Sequence, residues 1–273
     1  MNLSIAIPDS SLQDESTTLH KTKKVSIIAR SCAIFRINQI FIYKDKNGNG
    51  NDSMLLSTLL KYLETPPYFR KQLFRKTKLL NYSGVLQPLN TSNHLATSNQ
   101  KLIKINDQRD GLVINYKGKK FVDIGINRPI PYFGKMKAGT RIAVKIIDTK
   151  PKFVIKEISR EDVNDYWGYK VKERGNLFST LSSWTGKIIL TSKKGKIFTK
   201  SDTGKFIKSD DSVLIVFGST SKGIHELLGA DIKKVQNSRV FNFFPDQATQ
   251  TIRLEEAILG ILSIINSYNH NTS

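Results

Sequence analysis

Asn242-Phe243-Phe244-Pro245-Asp246-Gln247-Ala248-Thr249-Gln250-Thr251-Ile252-Arg253-Leu254-Glu255-Glu256-Ala257 is the stretch on which the reading of this chain turns. A short apolar run meets Pro245 and gives way to a polar loop, after which Leu254 to Ile265 reads as a nearly continuous apolar helix. Thr249 and Thr251 put hydroxyls where that helix should begin. Glu255 and Glu256 place carboxylates in its first turns, where the positive end of the helix dipole favours them. Capping leaves the loop itself unexplained: Gln247 and Gln250 carry paired donors and acceptors able to read an adenine edge or a carboxylate.

Working upstream, Val240–Phe244, Val213–Phe217 and Lys187–Thr191 each read as a strand running into a polar or glycine-containing loop, Ser192-Lys193-Lys194-Gly195 after the first in sequence and Gly218-Ser219-Thr220-Ser221-Lys222-Gly223 after the second. In parallel sheets, ligands gather at the carboxyl ends of strands, so the last third of the chain holds one place for a nucleotide-like ligand. Gly218 and Gly223 allow close backbone approach, a role that ordinary turn glycines fill equally well. There is no Walker motif and no complete Gly-x-Gly-x-x-Gly.

The opening segment has the same texture. Leu3–Ile7 reads as a strand ending at Pro8-Asp9, and Val25, Ile28, Cys32 and Phe35 form one apolar helical stripe. Gln39–Tyr43 is a second strand, Lys46–Asp52 a loop, and Met54–Leu63 a helix closed by Pro66 and Pro67. This β-α-β start favours a parallel sheet. From about Leu79 short alternating runs take over: Leu112–Tyr116, Lys119–Ile124, Thr140–Ile147 and Phe153–Ser159, separated by Lys117-Gly118, Pro129-Ile130-Pro131 and Lys150-Pro151. That spacing predicts a small β-barrel. The expected organisation is an α/β domain in two pieces, 1–78 and 165–273, around a β insertion at 79–164.

Charge narrows the partner. The chain has 273 residues with 43 Lys plus Arg against 23 Asp plus Glu, a formal net charge of +20, well beyond the needs of solubility. Lys21, Lys23, Lys24, Arg30 and Arg36 fall in a run with no acid, and Arg70, Lys71 and Arg75 belong to a second run between Lys61 and Leu80. Both are interleaved with apolar residues, so the charge is carried on folded elements, which suits a phosphate backbone; solvated helix faces are the bland alternative. The barrel segment is also basic, and Lys119 and Lys135 are its candidate RNA contacts. An antiparallel spacer without binding function fits the same pattern.

Cys32 is the only cysteine, so no intrachain disulfide can form, and no segment reaches the roughly 18 apolar residues of a membrane span. A cytoplasmic protein is expected. His20, His94, His225 and His270 are dispersed and offer no metal-ligand spacing.

Pro245, Gln247, Thr249, Thr251, Arg253, Glu255, Glu256 and Ala257, with Ile252 in place of Val, form a pattern that resembles the third motif of the SPOUT class of RNA methyltransferases. Within that class it resembles the archaeal and eukaryotic branch with an OB-like insertion, the uridine N3-methyltransferases. Ile5-Ala6-Ile7-Pro8-Asp9-Ser10, Ala33-Ile34-Phe35-Arg36-Ile37, Thr65-Pro66-Pro67-Tyr68-Phe69-Arg70-Lys71, Pro129-Ile130-Pro131-Tyr132-Phe133-Gly134, Tyr166-Trp167-Gly168-Tyr169 and Phe217-Gly218-Ser219 are similar to the same branch, so the likeness covers almost the whole chain. Ala248 stands where the family usually has Gly, and His94 alone remains of two histidines that follow the pair matching Pro88-Leu89.

The resemblance implies a trefoil knot near the carboxyl end, a homodimer packed through the last helix, and S-adenosylmethionine bound by Thr191, Ser192, Gly218, Ser219, Phe244, Pro245, Gln247, Thr249 and Thr251. It also implies methyl transfer to a base, expected to be uridine, in structured RNA such as rRNA. Arg30 resembles the arginine of the first motif of the class and is the first catalytic candidate, followed by Arg36 and Arg253. Two rival readings are a nonenzymatic RNA-binding protein on the same scaffold and a methyltransferase acting on a ribose hydroxyl.

Overall fold

The computed structural model describes residues 2–94, 97–126, 128–206 and 212–270. In chain order its elements are β1 (Asn2–Pro8), α1 (Thr18–Ile34), β2 (Gln39–Lys44), α2 (Gly50–Glu64), α3 (Pro67–Leu73), β3 (Gln108–Tyr116), β4 (Lys119–Asp123), β5 (Ile130–Pro131), β6 (Arg141–Asp148), β7 (Val154–Ile158), β8 (Lys170–Asn176), α4 (Leu177–Ser182), β9 (Lys187–Ile197), α5 (Lys200–Phe206), β10 (Ser212–Val216), α6 (Ile224–Leu228), β11 (Ser238–Asn242) and α7 (Leu254–His270), with short 3₁₀ turns between some of them. Contacts divide the chain into two units: Met1–Glu64, Thr77–Pro88 and Tyr169–Ser273 form one, Thr65–Lys76 and Leu89–Gly168 the other. Thr65–Lys76 and Thr77–Pro88 thus go to different units, an interleaving that a division at two points in the sequence does not express.

The first unit is a six-stranded parallel sheet in the order β11-β9-β10-β1-β2-β8. β1 lies inside it, pairing Ser4 with Leu214 on one side and with Gln39 on the other. Strands covered on both faces must be apolar throughout rather than alternating. Accordingly Ile5, Ala6, Ile7, Ile40, Phe41, Ile42, Tyr43 and Val213–Val216 are all buried. β8 is the exception: it is an edge strand, largely exposed, and its Lys-Val-Lys-Glu-Arg-Gly-Asn sequence gave no strand signal.

Helix α1 starts where Thr17 accepts the His20 N–H at 3.2 Å, and its expected stripe holds for Val25, Ile28 and Cys32, all fully buried. It packs against α2 and α7. In α7, Ile258, Ile261, Leu262 and Ile265 are buried while Leu259 is exposed. Three local expectations change. α2 begins at Gly50, inside the expected loop. Pro66 and Pro67 do more than close that helix, since they open α3, where a proline's missing N–H costs nothing. The third late strand is Ser238–Asn242, two residues earlier than Val240–Phe244.

The second unit is a five-stranded antiparallel sheet in the order β5-β4-β3-β6-β7. Val113, Val122, Ile124, Ile142, Val144 and Ile146 fill its core. Asp110 and Trp167 meet within it, the indole N–H donating to Asp110 Oδ1 at 3.1 Å, and Arg141 pairs with the other carboxylate oxygen at 2.5 Å. Among the described residues no helix is long and apolar enough to cross a membrane.

Candidate functional site

A cavity of about 460 Å³ opens at the carboxyl ends of β1, β10 and β11 and at a break within β9. Its walls come from Pro8–Asp14, the residues after β9 and β10, and the turn from β11 into α7. The location follows from the parallel sheet, whose strand ends deliver loops to one edge.

Backbone shapes most of it. Between Leu190 and Lys196 the pairing of β9 with β11 jumps: Leu190 faces Val240 and Lys196 faces Phe241, so Thr191–Gly195 bulges out of register. The polar run expected as a loop after Thr191 is this excursion, carried within β9. Thr191 pins its base by donating to the Val216 carbonyl at 2.8 Å, and Asn242 Nδ2 holds its crown through the Lys193 carbonyl at 3.2 Å. Gly195 lies on the Phe241 backbone, where a Cβ would stand 2.7 Å from the carbonyl carbon, so no side chain fits.

After β10, Phe217 extends the pairing with an N–H to the Ala6 carbonyl at 3.0 Å, and its own carbonyl accepts the buried Tyr43 hydroxyl at 2.7 Å. A Cβ on Gly218 would come 2.9 Å from the Lys222 carbonyl oxygen. That close approach lets the loop fold back, with Ser219 N–H donating to the Lys222 carbonyl at 2.9 Å and Lys222 N–H to Ser219 Oγ at 3.1 Å.

The third wall is the stretch quoted first. Asp246 adopts φ 58°, a left-handed conformation that aspartate tolerates better than most residues. Gln247 directs its amide nitrogen at the Thr249 and Gln250 carbonyls, at 2.9 and 3.4 Å, so these donors brace the loop itself. The α7 start is capped differently from expectation. Glu256, not a threonine hydroxyl, accepts the Arg253 N–H at 3.0 Å, the reciprocal half of a capping box. The Arg253 guanidinium reaches Glu15 at 3.3 Å and is 61% exposed at the rim.

Of the nine expected donor-binding residues, Thr191, Ser192, Gly218, Ser219, Phe244, Gln247 and Thr251 line the cavity, whereas Pro245 and Thr249 are exposed and outside the lining. Of the three arginines, Arg253 alone lines it. Arg30 lies about 18 Å along α1 from the helix start, at 1.5 Å per residue, and donates to the Pro88 carbonyl at 2.5 Å. Arg36 is exposed with φ 55° in the turn from α1 into β2, at the amino ends of the parallel strands and so away from the cavity edge.

The basic candidates also separate. Lys23, Lys71, Arg75, Lys119 and Lys135 are exposed, Arg70 is half-buried with Nε donating to the Thr65 carbonyl, and Lys21 is held by both oxygens of Asp52 at 2.7 and 2.8 Å. Lys24 does not face solvent as expected. It is 2% exposed, with Nζ 2.6 Å from Asp14 and 3.2 Å from Glu255. The position continues the buried side of α1, and a lysine there is tolerated because two carboxylates neutralise it.

Ser11, Asp14, Lys193, Lys194, Lys222, His225, Glu226, Ile252 and Ile261 also line the cavity, though none was among the residues expected to hold a ligand. Asp14 and Ser11 had one usable signal, the strand end at Pro8-Asp9; Lys193, Lys194 and Lys222 lie in the polar loops read after the late strands and Ile252 in the quoted motif, while His225, Glu226 and Ile261 are placed by tertiary folding. The wall therefore combines apolar surface from Phe244, Ile252, Leu254, Ala257 and Ile261, hydroxyls from Thr191, Ser192 and Ser219, and charges of both signs. His225 Nε2 is buried there with no hydrogen-bond partner among the described residues.

The lining thus offers both apolar surface and charges of both signs. A protein of Homo sapiens named 28S rRNA (uridine-N(3))-methyltransferase is 27% identical over 304 residues, which cover 96% of this chain and 77% of that protein. One of the same name from Drosophila melanogaster is 26% identical over 303 residues, 96% of this chain and 61% of the fly protein. An uncharacterized protein of Halobacterium salinarum is 26% identical over 285 residues, 96% of this chain and 98% of the relative. The family described as "Putative RNA methyltransferase" matches residues 2–265, and the chain belongs to it, a family of RNA-methylating enzymes.

Proposed function

We propose that this chain transfers a methyl group from S-adenosylmethionine to N3 of a uridine in structured rRNA, acting as a cytoplasmic homodimer. In this reading the parallel unit is a SPOUT domain with a trefoil knot, residues 1–78 and 165–273, and the antiparallel sheet is an OB-like insertion near 79–164. The observation that carries it is the cavity at one edge of the parallel sheet, walled by backbone that only glycine permits at Gly195 and Gly218, in a chain of the RNA methyltransferase family. The sequence resemblance supplies the knot and the dimer; the names of the fly and human relatives supply the uridine.

The residues present fit the donor. Phe244, Ile252 and Leu254 offer an apolar face for adenine, Thr191, Ser192 and Ser219 offer hydroxyls to a ribose, and Asp14 and Glu226 oppose Lys193, Lys194 and Lys222 as the two charges of an amino acid require. The unpaired His225 Nε2 is a polar atom whose burial is compensated only by a ligand or solvent. Gln247 completes the set by holding the loop shape, and Thr251 lines the same wall. When bound, the sulfonium supplies an electrophilic methyl group.

The protein's part is orientation and charge. Uridine N3 carries a weakly acidic proton, so attack requires its loss to solvent water and stabilisation of the negative charge left on the ring oxygens. Arg253, at the rim and steadied by Glu15, takes that role. Arg30 and Arg36, outside the lining of this cavity, serve the RNA phosphates together with Lys23, Arg70, Lys71, Arg75, Lys119 and Lys135.

Nucleoside mass spectrometry of RNA from cells with and without the gene tests the reading. A methylated uridine base lost on deletion supports it, and a lost ribose methylation overturns the base assignment. Arg253→Ala should bind the donor and fold normally while losing methyl transfer. Absence of calorimetric binding to S-adenosylmethionine or its demethylated product would overturn the enzymatic reading.

A further inference from the structure

One motif singled out in the sequence, Pro129-Ile130-Pro131-Tyr132-Phe133-Gly134, plays no part in the cavity. Within the antiparallel unit it forms a braced loop. β5 pairs Pro131 with Phe121, and the Tyr132 N–H continues that pairing by donating to the Lys120 carbonyl at 3.0 Å. The Tyr132 ring is tucked under the loop: its hydroxyl donates to Glu157 at 2.5 Å and accepts the Met136 N–H at 3.4 Å. Gly134 lies on that hydroxyl, where a Cβ would collide with it. Lys120 Nζ reaches the Gly134 carbonyl at 3.5 Å.

Held on both sides, Phe133 points outward and is 96% exposed. An aromatic ring left wholly in water on an anchored loop forgoes the burial that normally stabilises it. The neighbours are basic. Tyr116, 55% exposed, pairs with Lys119 across the β3–β4 turn next to the Lys120 that holds Tyr132, and Lys117 Nζ lies 5.4 Å from the Tyr116 ring. Lys117, Lys119, Lys135 and Lys137 are all exposed, and residues 124–147 include no acid. The carboxylate of Glu157, on β7, is engaged by Tyr132.

We infer that Phe133, with Tyr116 two strands away on β3, is a stacking platform for unpaired bases of the RNA, whose flanking phosphates the surrounding lysines neutralise. Every base has a π-face, so such a platform takes single strands regardless of sequence, and a duplex, whose bases are already stacked, gains nothing from the ring. Positive charge without matching acids selects a polyanion over an apolar protein patch as the occupant. The inference rests on RNA being the substrate.

The test uses the full chain, a labelled unstructured 12-nucleotide RNA and a duplex of equal length, with binding read by fluorescence anisotropy. Phe133→Ala should weaken single-strand binding by about tenfold or more, from the usual worth of one stacked base, and change duplex binding less than twofold. Its salt dependence should stay parental, whereas Lys135→Ala should lower the salt slope by about 1. Phe133→Trp should keep the affinity and add a tryptophan signal that RNA quenches beyond any change in the parent. Equal single-strand affinity in Phe133→Ala, or no added quenching in Phe133→Trp, would overturn the platform alone. A change of oligomeric state on sedimentation of Phe133→Ala would reassign the ring to a protein contact, and failure of the parent chain to bind any RNA would overturn the proposed function as well.

Discussion

Replacing Lys24 with methionine isolates the charge cluster beneath the cavity. The lysine is 2% exposed and its ammonium lies 2.6 Å from Asp14 and 3.2 Å from Glu255, side chains that are 28% and 8% exposed. Methionine keeps the volume and leaves two carboxylates without their cation. Removing one partner of a buried pair costs about 3–5 kcal/mol. Water can reach Asp14 in part, so the lower end applies, about 3 kcal/mol. With roughly 2–4 °C per kcal/mol for a chain of this size, the melting transition should fall by roughly 6–12 °C in a calorimetric scan. RNA affinity should hold within about twofold, because a buried ammonium cannot release a counterion from a phosphate. Lys23→Ala, one residue earlier and exposed, should behave oppositely, leaving the melt unchanged and lowering the salt slope by about 1. Adding Glu255→Gln to Lys24→Met should recover part of the lost stability. A melt of Lys24→Met within a degree or two of the parent, with an RNA defect equal to that of Lys23→Ala, would refute the burial argument.

Gly260→Ala sets helix propensity against packing: alanine favours the helix by about 1 kcal/mol, but its Cβ would stand 2.7 Å from the Phe244 ring. Global stability should therefore change little while the displaced ring weakens donor binding roughly fivefold, about 1 kcal/mol of overpacking, as calorimetric titration would show. Burial pushes the Cys32 thiol far above its ordinary range, so a thiol-reactive dye should label the native chain only through opening, with a rate that rises with denaturant. The Glu173 carboxyl is held below its usual range by hydrogen bonds from the Lys61 ammonium at 2.8 Å and then the Ser57 hydroxyl at 2.6 Å. Its contribution is full above the unfolded value near 4.5 and disappears as pH falls through the lower folded value. Denaturant titrations of the parent and Glu173→Gln at pH 7 and pH 3 should show a small gap that closes in acid, small because the pair is half exposed.

The parallel sheet was legible because its strands are buried on both faces and so appear as apolar runs, each stopping at a polar loop: Ile5-Ala6-Ile7 at Pro8, Val213–Val216 at Gly218 and Lys187–Leu190 at Thr191. Those stops located the cavity edge, and most residues expected to hold the donor do line it. What sequence could not supply is the direction of a side chain on an element correctly placed. Lys23 and Lys24 share a basic run, yet one helical step separates solvent from an ion cluster. Gln247 sits in the wall, yet spends its amide donors on its own loop. β8 was missed because an exposed edge needs no apolar pattern, and α6 because a five-residue helix is too short to show periodicity.

The cavity draws its walls from segments far apart in the chain, which makes the proposed donor binding a reporter of the completed parallel unit. β1 pairs with β10 across some 210 residues, Ser4 opposite Leu214. Two ion pairs then tie the loop and helix after β1 to the start of α7, Glu15 to Arg253 and Lys24 to Glu255. These contacts form only after the entropic cost of closing that long loop has been met. Neither 1–64 nor 169–273 can build the site alone, because the first lacks three of the walls and the second lacks the strand at the centre of the sheet. Mixing the two pieces should restore donor binding if Thr77–Pro88 is dispensable, and a donor-binding isolated 169–273 fragment would refute the claim that β1 completes the cavity.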